Sequence, residues 1–305
     1  MTINTIEYSK LMQKKLDQAV IIGATSGWME ANAGEVIYNG GDEVKIPTMT
    51  TSGLADYDRD NGFVQGGITL KYNTYKMTQD RGRTFQIDRM DVDESGFVAT
   101  SANLIKTFQT QQVIPEIDSY RYSTIADIAI KANQSEAINL TADNALTKIR
   151  EHIRAVQDIV GDDVPLILTM STKTRALIED SPKIGKSIDT ANFKQGNMSF
   201  KVKSLDESVI KIAPSSRLKT KYEILDGTTS GQEAGGLKAA ADAKDINWII
   251  TPQRVPIAIS KTDKLRVFEP DTNQKADAWK IDYRKYHDLW IKESDKKIIF
   301  VCVGA

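Results

Sequence analysis

DRGRTFQIDRMDVDESGFVATSANLIKTFQTQQVIPEIDSYRYSTIADIAIKAN, residues 80–133, is the stretch that decides how this chain folds. The acid-rich segment Asp91–Glu94 suits a helix start, because the first turn of a helix carries partial positive charge. Apolar residues at helical spacing follow it and share one face: Phe97, Leu104, Ile105 and Phe108. The ring of Pro115 clashes with the carbonyl of the preceding turn, so we expect it to interrupt this helix, which then resumes to about Lys131.

Upstream of this stretch, residues 41–78 are predicted to form one long two-stranded arm. EVKIPTMT (43–50) and ITLKYNTYKMT (68–78) alternate in polarity and are rich in Thr, Tyr, Ile and Val, which favours strands. The segment between them, LADYDRDNGFVQGG (54–67), is polar and contains an Asn-Gly turn signal. Because an isolated hairpin is marginal in water, the arm must lie against another surface.

The surface that we expect to cover the arm belongs to a neighbouring copy of the chain. Glycines and charged residues make the tip polar, so the arm contributes little to the core of its own subunit. The apolar side chains of its strands then need cover from outside, and the chain is predicted to be a homo-oligomer. The candidate intersubunit contacts are Leu54, Tyr57, Arg59, Leu70, Tyr72 and Met77.

The rest of the chain predicts an α+β protein, with helices early, mixed units in the middle and strands late. Residues 6–20 have the spacing of a short amphipathic helix that docks on another surface. A helix is expected over 141–160, where apolar residues step by three and four until Gly161. A further helix is expected at 171–180, loops at 183–199 and 226–240, and strands at 165–170, 200–205, 208–214, 246–250, 254–260, 264–268, 278–283 and 298–303.

Composition excludes several classes of protein. The 305 residues are 40% hydrophobic and 27% charged, which is ordinary for a globular protein. Forty basic against 41 acidic residues leave a net charge of −1, so no overall field recruits nucleic acid or a membrane. The sequence has neither a signal-peptide core nor the ~18-residue apolar run of a membrane span. A lone cysteine, Cys302, excludes an intrachain disulfide framework and is predicted to be a buried structural thiol.

One alternative function is a nucleotide-dependent oxidoreductase. VIIGATSG (20–27) resembles a phosphate-binding turn, and Tyr72 and Lys76 have the spacing of a dehydrogenase pair. However, Trp28 stands where the turn needs a further glycine, and the glycine-rich segment after it cannot form the crossover helix of a βαβ unit. Tyr72 and Lys76 also lie in a predicted strand, whereas the pair requires one helical turn. VIIGATSG is therefore interpreted as an apolar segment that ends in a loop.

No other motif predicts a catalytic, metal or cofactor site. ADYDRDNG (55–62) resembles the start of a calcium loop, but Asn61 and Gly67 stand where that loop needs a glycine and a glutamate. Gly185-Lys186-Ser187 lacks the upstream glycine of a phosphate loop. The only histidines, His152 and His287, cannot make a multi-histidine metal site, and both are interpreted as structural. We therefore predict no enzyme activity and no cofactor.

Three segments together resemble one protein family. DRGRTFQIDRMDVDES (80–95), VIPEIDSYR (113–121) and VPIAISKTDKLRVFEPDTNQKADAWKIDYRKYHDLW (255–290) look like the major capsid proteins of tailed phages, specifically the coat proteins of phages and prophages of Gram-positive bacteria. The resemblance covers most of the chain and implies the Hong Kong phage capsid fold. It also implies the function of a shell protein that encloses double-stranded DNA. An encapsulin-type compartment of the same fold is the nearest alternative.

The resemblance implies four regions and a set of partners. Residues 1–40 would be an N-terminal arm and 41–80 the extended hairpin loop, while 81–134 with 262–305 would form a peripheral domain and 135–261 an axial domain. The implied partners are other copies in pentamers and hexamers, a separate scaffolding protein, a portal protein, a possible decoration protein and packaged DNA bound without sequence specificity. The implied location is the virion capsid, assembled in the bacterial cytoplasm. Some members cross-link an arm lysine to an asparagine; Lys45, Lys71, Lys76 and Asn273 are common surface residue types, so their presence does not predict a cross-link.

Overall fold

The computed structural model describes residues 20, 23–35, 37–38, 43–60, 62–90, 101–181, 190–195, 198–205 and 208–305. The predicted helix at 6–20 and the acid-rich helix start at 91–94 lie outside the described residues, apart from Val20. No helix in the described part of the chain is long and apolar enough to cross a membrane.

The described α-helices are α1 (Ser101–Phe108), α2 (Ile114–Lys131), α3 (Ala142–Val160) and α4 (Thr172–Glu179). The strands of the first part are β1 (Ile37–Tyr38), β2 (Glu43–Thr51), β3 (Ile68–Lys76), β4 (Gln79–Asp88), β5 (Ser135–Ala137), β6 (Leu166–Ser171) and β7 (Thr190–Gln195). Those of the second part are β8 (Met198–Leu205), β9 (Ser208–Ala213), β10 (Tyr222–Leu225), β11 (Gly236–Ala239), β12 (Ile246–Pro252), β13 (Ile257–Phe268), β14 (Ala278–Trp290) and β15 (Phe300–Val303).

The strands form a large mixed sheet and three smaller antiparallel sheets. The large sheet has the order β5-β15-β12-β6-β9-β8-β7, in which β15 is parallel to β5 and β6 is parallel to β9. The second sheet has the order β13-β14-β4, and the arm forms the third, β1-β2-β3. The hairpin β10-β11 is the fourth. Helices and strands are thus mixed without a repeating βαβ pattern, as the α+β class predicts.

Helices cover both faces of the large sheet. Successive residues of a strand point to opposite sides, so each strand contributes side chains to both faces. On one side α2 packs Tyr122, Ile125 and Ala129 against Ile249 and Val301. On the other, α3 packs its apolar face against the alternate residues of the same strands: Leu146, Ile149, Ile153 and Val156 against Trp248, Ile250 and Cys302. The buried thiol predicted for Cys302 is confirmed.

Helix α3 shows why its boundaries could be predicted. Thr141 forms a capping box with Asn144: the side chain of each accepts from the backbone N–H of the other. At the other end Gly161 has φ +89°, a conformation that side chains disfavour, so the helix ends there. The expected helix at 141–160 is confirmed.

The expected break at Pro115 is replaced by a π-helical turn. Residues Gln109–Val113 form this turn, and the Ile114 N–H donates to the Gln109 carbonyl, which is one residue beyond the α-helical partner. Pro115 then occupies the first turn of α2, where its missing N–H leaves no intrahelical bond unmade. Helix α1 therefore continues into α2 without a loop, and the predicted interruption is wrong.

Two further kinds of expectation are corrected by the strand pairings. Residues 190–195 and 236–239, predicted as loops, are strands that pair with β8 and β10. The segments 254–260 and 264–268 belong to one strand, β13, because β14 pairs along its whole length. In the large sheet β15 also pairs with β12.

Candidate intersubunit surface

The arm is a continuous antiparallel ladder from its base to residue 51. β2 and β3 pair from Glu43↔Lys76 to Thr51↔Ile68. Residues opposite each other in such a ladder lie on the same face, and successive pairs lie on opposite faces. The register therefore defines which arm side chains act together.

One face of the arm carries an exposed apolar stripe, which we call the arm stripe. It consists of Pro47, Met49, Ile68, Leu70 and Tyr72, with Pro47 opposite Tyr72 and Met49 opposite Leu70. The side chains of Met49, Ile68, Leu70 and Tyr72 are 65%, 75%, 51% and 47% exposed. A contiguous exposed apolar patch of this kind marks a site of protein association. The exposure of Leu70 and Tyr72 fits their predicted role.

The tip of the arm, residues 52–67, is also exposed and has its own structure. The backbone N–H of Ser52 donates to the Gly67 carbonyl at 3.0 Å, and Asp58 pairs with Gly62, which has φ +79°. These contacts bring the rings of Tyr57 and Phe63 to 4.8 Å between centroids. Leu54 and Arg59 extend into solvent from the same tip. The tip thus presents an aromatic pair and an exposed leucine without covering either.

The base of the arm, by contrast, is part of the core of its own chain. Val44 and Ile46 lie on the face opposite the arm stripe and pack with Met77 against Trp290 and other buried residues. Met77 is only 2% exposed, so its predicted role as an intersubunit contact is wrong. The sequence argument missed this because the residues buried with Met77 include Tyr286 and Trp290 of β14, more than two hundred positions later.

The buried carboxylate of Asp288 joins the arm base to helix α2 through hydrogen bonds. Asp288 accepts hydrogen bonds from the backbone N–H and the hydroxyl of Thr78 at 2.8 and 3.0 Å, and from the Tyr120 hydroxyl at 2.6 Å. Burial and the Asp288 charge raise the pKa of Tyr120 to about 12, so the hydroxyl stays a donor near neutral pH. The junction between β3 and β4 is therefore held to β14 and α2 by three hydrogen bonds, while the stripe and tip beyond it are uncovered.

The VIIGATSG turn binds a carboxylate of its own chain. Asp118 of α2 accepts from the N–H and hydroxyl of Thr25 at 3.1 and 2.9 Å, and from the N–H and hydroxyl of Ser26 at 3.0 and 2.6 Å. Arg217 adds an ion pair at 2.9 Å. The donors that a nucleotide phosphate would need are therefore already used.

The backbone around this turn also differs from that of a dinucleotide site. Val20 and Gly23 are helical, and a 3-10 helix, Gly27–Glu35, follows where a long crossover helix would stand. A Cβ on Gly23 would lie 2.7 Å from the Cδ1 atom of Ile114, so this glycine allows close packing on α2. Tyr72 and Lys76 lie in β3 and not on a helix. The geometry contradicts the oxidoreductase alternative.

The two histidines are both buried, and His152 has a complete structural role. Its Nε2 lies 2.7 Å from a Glu136 oxygen, and its Nδ1 accepts from Trp248 Nε1 at 3.2 Å. Burial lowers the pKa of His152, and the bond from Trp248 requires the neutral ring. His287 lies within β14.

The described residues contain no group of three or more metal-ligating side chains. The Asp58 carboxylate accepts from the backbone N–H of Asp60, as in a polar turn. Among the candidate cross-linking residues, the Asn273 amide donates to the carbonyl of Ala278, the first residue of β14, at 2.8 Å.

Comparison with known proteins identifies the fold. No family model and no curated protein matches the sequence. Among solved structures, one from Gordonia phage Cozz is 12% identical, with 91% of this chain and 86% of that chain covered at a TM-score of 0.58. The mature capsid of bacteriophage PhiM1 is 12% identical, covering 88% and 84% at 0.55. The capsid of cyanophage P-SCSP1u is 10% identical, covering 87% and 84% at 0.53. The chain has the fold of these phage capsids, as the sequence resemblance implied.

Proposed function

We propose that this chain is the major capsid protein of a tailed phage or prophage, and that its copies assemble into an icosahedral shell around double-stranded DNA. The observation that carries the proposal is the exposed arm stripe on a chain with a phage capsid fold. The capsid fold gives a reason for the exposed stripe, and the stripe gives copies of this fold a surface by which to bind one another. A shell subunit needs a surface that is unsatisfied in the monomer and covered in the assembly.

The arm stripe supplies the driving force for this assembly. Covering one side chain such as Leu70 contributes about 1.5–3 kcal/mol, whereas association costs about 4–15 kcal/mol in lost freedom. One residue is therefore too few, and the stripe and the tip must act together. The hydrogen bonds from Thr78 to Asp288 hold the base of the arm to its own subunit, so less of this energy is lost in ordering the arm.

Contacts of this kind are head-to-tail, because the arm of one copy lies on a different surface of the next. Such contacts close into rings when the rotation between copies is a simple fraction of a turn. Pentamers and hexamers are the rings that an icosahedral shell requires. In this proposal residues 41–80 form the contact that holds neighbouring copies together. The region 135–261, with β15 added to its sheet, faces the ring axes.

The protein is structural, and its partners follow from this role. They are other copies of the chain, a separate scaffolding protein, a portal protein, a possible decoration protein and DNA held without sequence recognition. The proposed location is the virion capsid, after assembly in the bacterial cytoplasm. No catalytic step is assigned to any residue.

The proposal is tested by expressing the chain with and without its neighbouring genes, followed by negative-stain microscopy and analytical ultracentrifugation. We expect closed particles of uniform size when a scaffolding protein is present. Double-stranded DNA inside particles from infected cells distinguishes a phage capsid from a protein compartment. A chain that remains a compact monomer with its scaffolding protein supplied contradicts the proposal.

The role of the arm stripe is tested by adjacent substitutions on opposite faces. Leu70→Asp places a charge within the stripe, and we expect at least a tenfold loss of particles because burying an unpaired carboxylate is costly. Lys71→Asp is the matched control, since it lies one residue away on the other face and is exposed. Equal loss of assembly in both variants would mean that the stripe is not the contact surface. Thermal unfolding of both variants should match that of the wild type.

A further inference from the structure

The hydrogen-bond pattern of the arm determines which backbone groups it leaves open. Along an antiparallel ladder, pairs that exchange hydrogen bonds alternate with pairs that do not. The Ser52 N–H donates to the Gly67 carbonyl at 3.0 Å, and this pair continues the β2–β3 register by one step. It is therefore a hydrogen-bonded pair. The next pair, Thr51 with Ile68, is not hydrogen-bonded, and every second pair after it is of the same kind.

In the pairs without hydrogen bonds, each residue points its N–H and C=O groups away from the partner strand. On β3 these residues are Ile68, Leu70, Tyr72, Thr74 and Lys76. β3 is the outer strand of the sheet β1-β2-β3, and no strand in the described ranges pairs with its far side. Three residues of the arm stripe, Ile68, Leu70 and Tyr72, thus also supply the backbone groups of an open edge.

The β2 edge of the arm is protected, and the β3 edge is open. Pro47 points outward from β2, because its pair with Tyr72 is one without hydrogen bonds, and proline has no N–H to offer a further strand. Nearer the base, β1 pairs with β2 at Val44 and Lys45. From Ile68 to Tyr72 the β3 edge has neither a proline nor a bulge. An edge of this kind can accept another strand.

The β3 edge is complementary to itself in one register. In an antiparallel pair of two β3 strands centred on Leu70, Leu70 lies opposite Leu70 of the second copy, and Ile68 lies opposite Tyr72. All three residues point their backbone groups outward, so each of these pairs can exchange two hydrogen bonds. Their side chains lie on the same face, so the arm stripes of the two copies become one continuous apolar surface.

The neighbouring registers match less well. A pair centred on Lys71 places two lysines opposite each other, and like charges in that position are destabilising. A pair centred on Tyr72 places Ile68 opposite Lys76. A pair centred on Thr69 places Tyr72 opposite Gly66, which has no side chain to cover the ring. Only the register centred on Leu70 gives each β3 residue of the stripe an apolar partner.

We propose that the β3 edges of two copies pair in this register and form a continuous sheet, β2-β3-β3-β2, shared by two subunits of the shell. The inference rests on the proposed function and adds a second kind of contact to it. This contact is isologous, so a two-fold axis relates the two copies. Neighbours within a ring of five or six are not related by a two-fold axis. The edge contact therefore joins copies of different rings, whereas the face of the arm makes the head-to-tail contact.

Engineered disulfides in assembled particles test the register. In the proposed pairing Thr69 lies opposite Lys71 of the second copy, in a pair without hydrogen bonds whose Cα atoms are about 4.5 Å apart, which suits a disulfide. Within one strand positions 69 and 71 are about 6.8 Å apart, too far for their Cβ atoms to be bridged. We expect oxidised particles of Thr69→Cys/Lys71→Cys to give covalent dimers on a non-reducing gel. Cys302 is buried and should not contribute.

Lys71→Cys/Asn73→Cys is the matched control, because these two positions face each other only in the register centred on Tyr72. It should give at least tenfold less dimer. If the first double variant does not assemble, mixed particles of the single variants Thr69→Cys and Lys71→Cys should give dimers, and neither single variant should do so alone.

Closed particles without dimers would overturn the inference and leave the proposed function standing. Equal cross-linking in the two double variants, or cross-linking in the control alone, would overturn it as well. Absence of closed particles from the wild-type chain with its scaffolding protein would overturn the proposed function and this inference together.

Discussion

Asp118 shows how one buried residue determines the meaning of a sequence motif. It is fully buried in α2 and accepts four hydrogen bonds from the turn at Thr25 and Ser26, as well as an ion pair from Arg217. A turn with free N–H groups resembles a phosphate site. Here the carboxylate takes the place that a phosphate would have, and the turn becomes a structural joint between the N-terminal segment and α2.

Loss of this carboxylate should destabilise the subunit strongly. Asp118→Ala leaves several buried donors and Arg217 without their partner, and we expect a loss of about 3–5 kcal/mol in the free energy of unfolding. Asp127→Ala is the matched control on the same helix, since Asp127 is exposed and makes an i,i+4 pair with Lys131. Its loss should be below about 0.5 kcal/mol. Urea denaturation measures both, and similar losses in the two variants would contradict this role for Asp118.

His287 should make the stability of the subunit depend on pH. Burial and neighbouring cations depress the pKa of the folded ring, so its stabilising contribution is present above the unfolded pKa and is lost as the pH falls toward the folded value. The loss begins as the pH falls below the unfolded pKa of about 6.5.

The window from about pH 7.5 to about pH 5.5 lies above the titration of carboxylates, so it isolates the histidines. Urea unfolding of wild type and His287→Gln in this window measures the effect, and the variant should show a shallower decline. The double variant with His152→Gln should be nearly flat, because the pKa of His152 is lowered in the same direction. An unchanged slope in His287→Gln would contradict the expected effect.

At the scale of elements, local patterns predicted the helices and most strands, and pairing between distant segments explains the remainder. The spacing of apolar residues and Gly161 were sufficient for α3, because a helix forms its hydrogen bonds within itself. Residues 236–239 show no alternation, and they are a strand only because β10 pairs with them. Pro115 was expected to break a helix, but the π-helical turn before it removes the clash.

The candidate intersubunit surface also has one part that the sequence predicted and one part that required the structure. Alternation in the arm was enough to predict apolar side chains at Leu70 and Tyr72 that the arm cannot cover. Met77 has the same local pattern, yet Trp290 and Tyr286 of β14 cover it. A sequence window around residue 77 contains no information about those residues, so the difference between Met77 and Leu70 required the structure.

The arm itself should be separable from the stability of the subunit. Replacement of Leu54–Gly66 by a two-residue Asn-Gly turn removes exposed residues and keeps the ladder that holds the base. We expect the midpoint of thermal unfolding to change little, while shell formation fails or gives particles of mixed size. Calorimetry and negative-stain microscopy measure the two effects. Normal assembly of the shortened protein would exclude the tip as an intersubunit contact, and failure to fold would show that the tip belongs to the core.

For the whole molecule, the near-neutral charge predicts weak binding to DNA. Forty basic and 41 acidic residues give a net charge of −1, and a protein releases counterions from DNA only where clustered cations neutralise phosphates. We expect a plot of log affinity against log salt concentration to have a slope shallower than about −2 for the purified subunit. Fluorescence anisotropy with duplex DNA measures it. A steep slope would mean that the shell attracts its contents directly.

The position of β15 has a consequence for how the protein is made. Residues 300–303 form a strand between β5 and β12, and β14 is likewise the middle strand between β13 and β4. Both sheets therefore lack an interior strand until late in translation, however early their other strands leave the ribosome. A nascent chain therefore cannot close either sheet until β14 and β15 have left the ribosome, and until then the strands on either side of each gap keep an open edge.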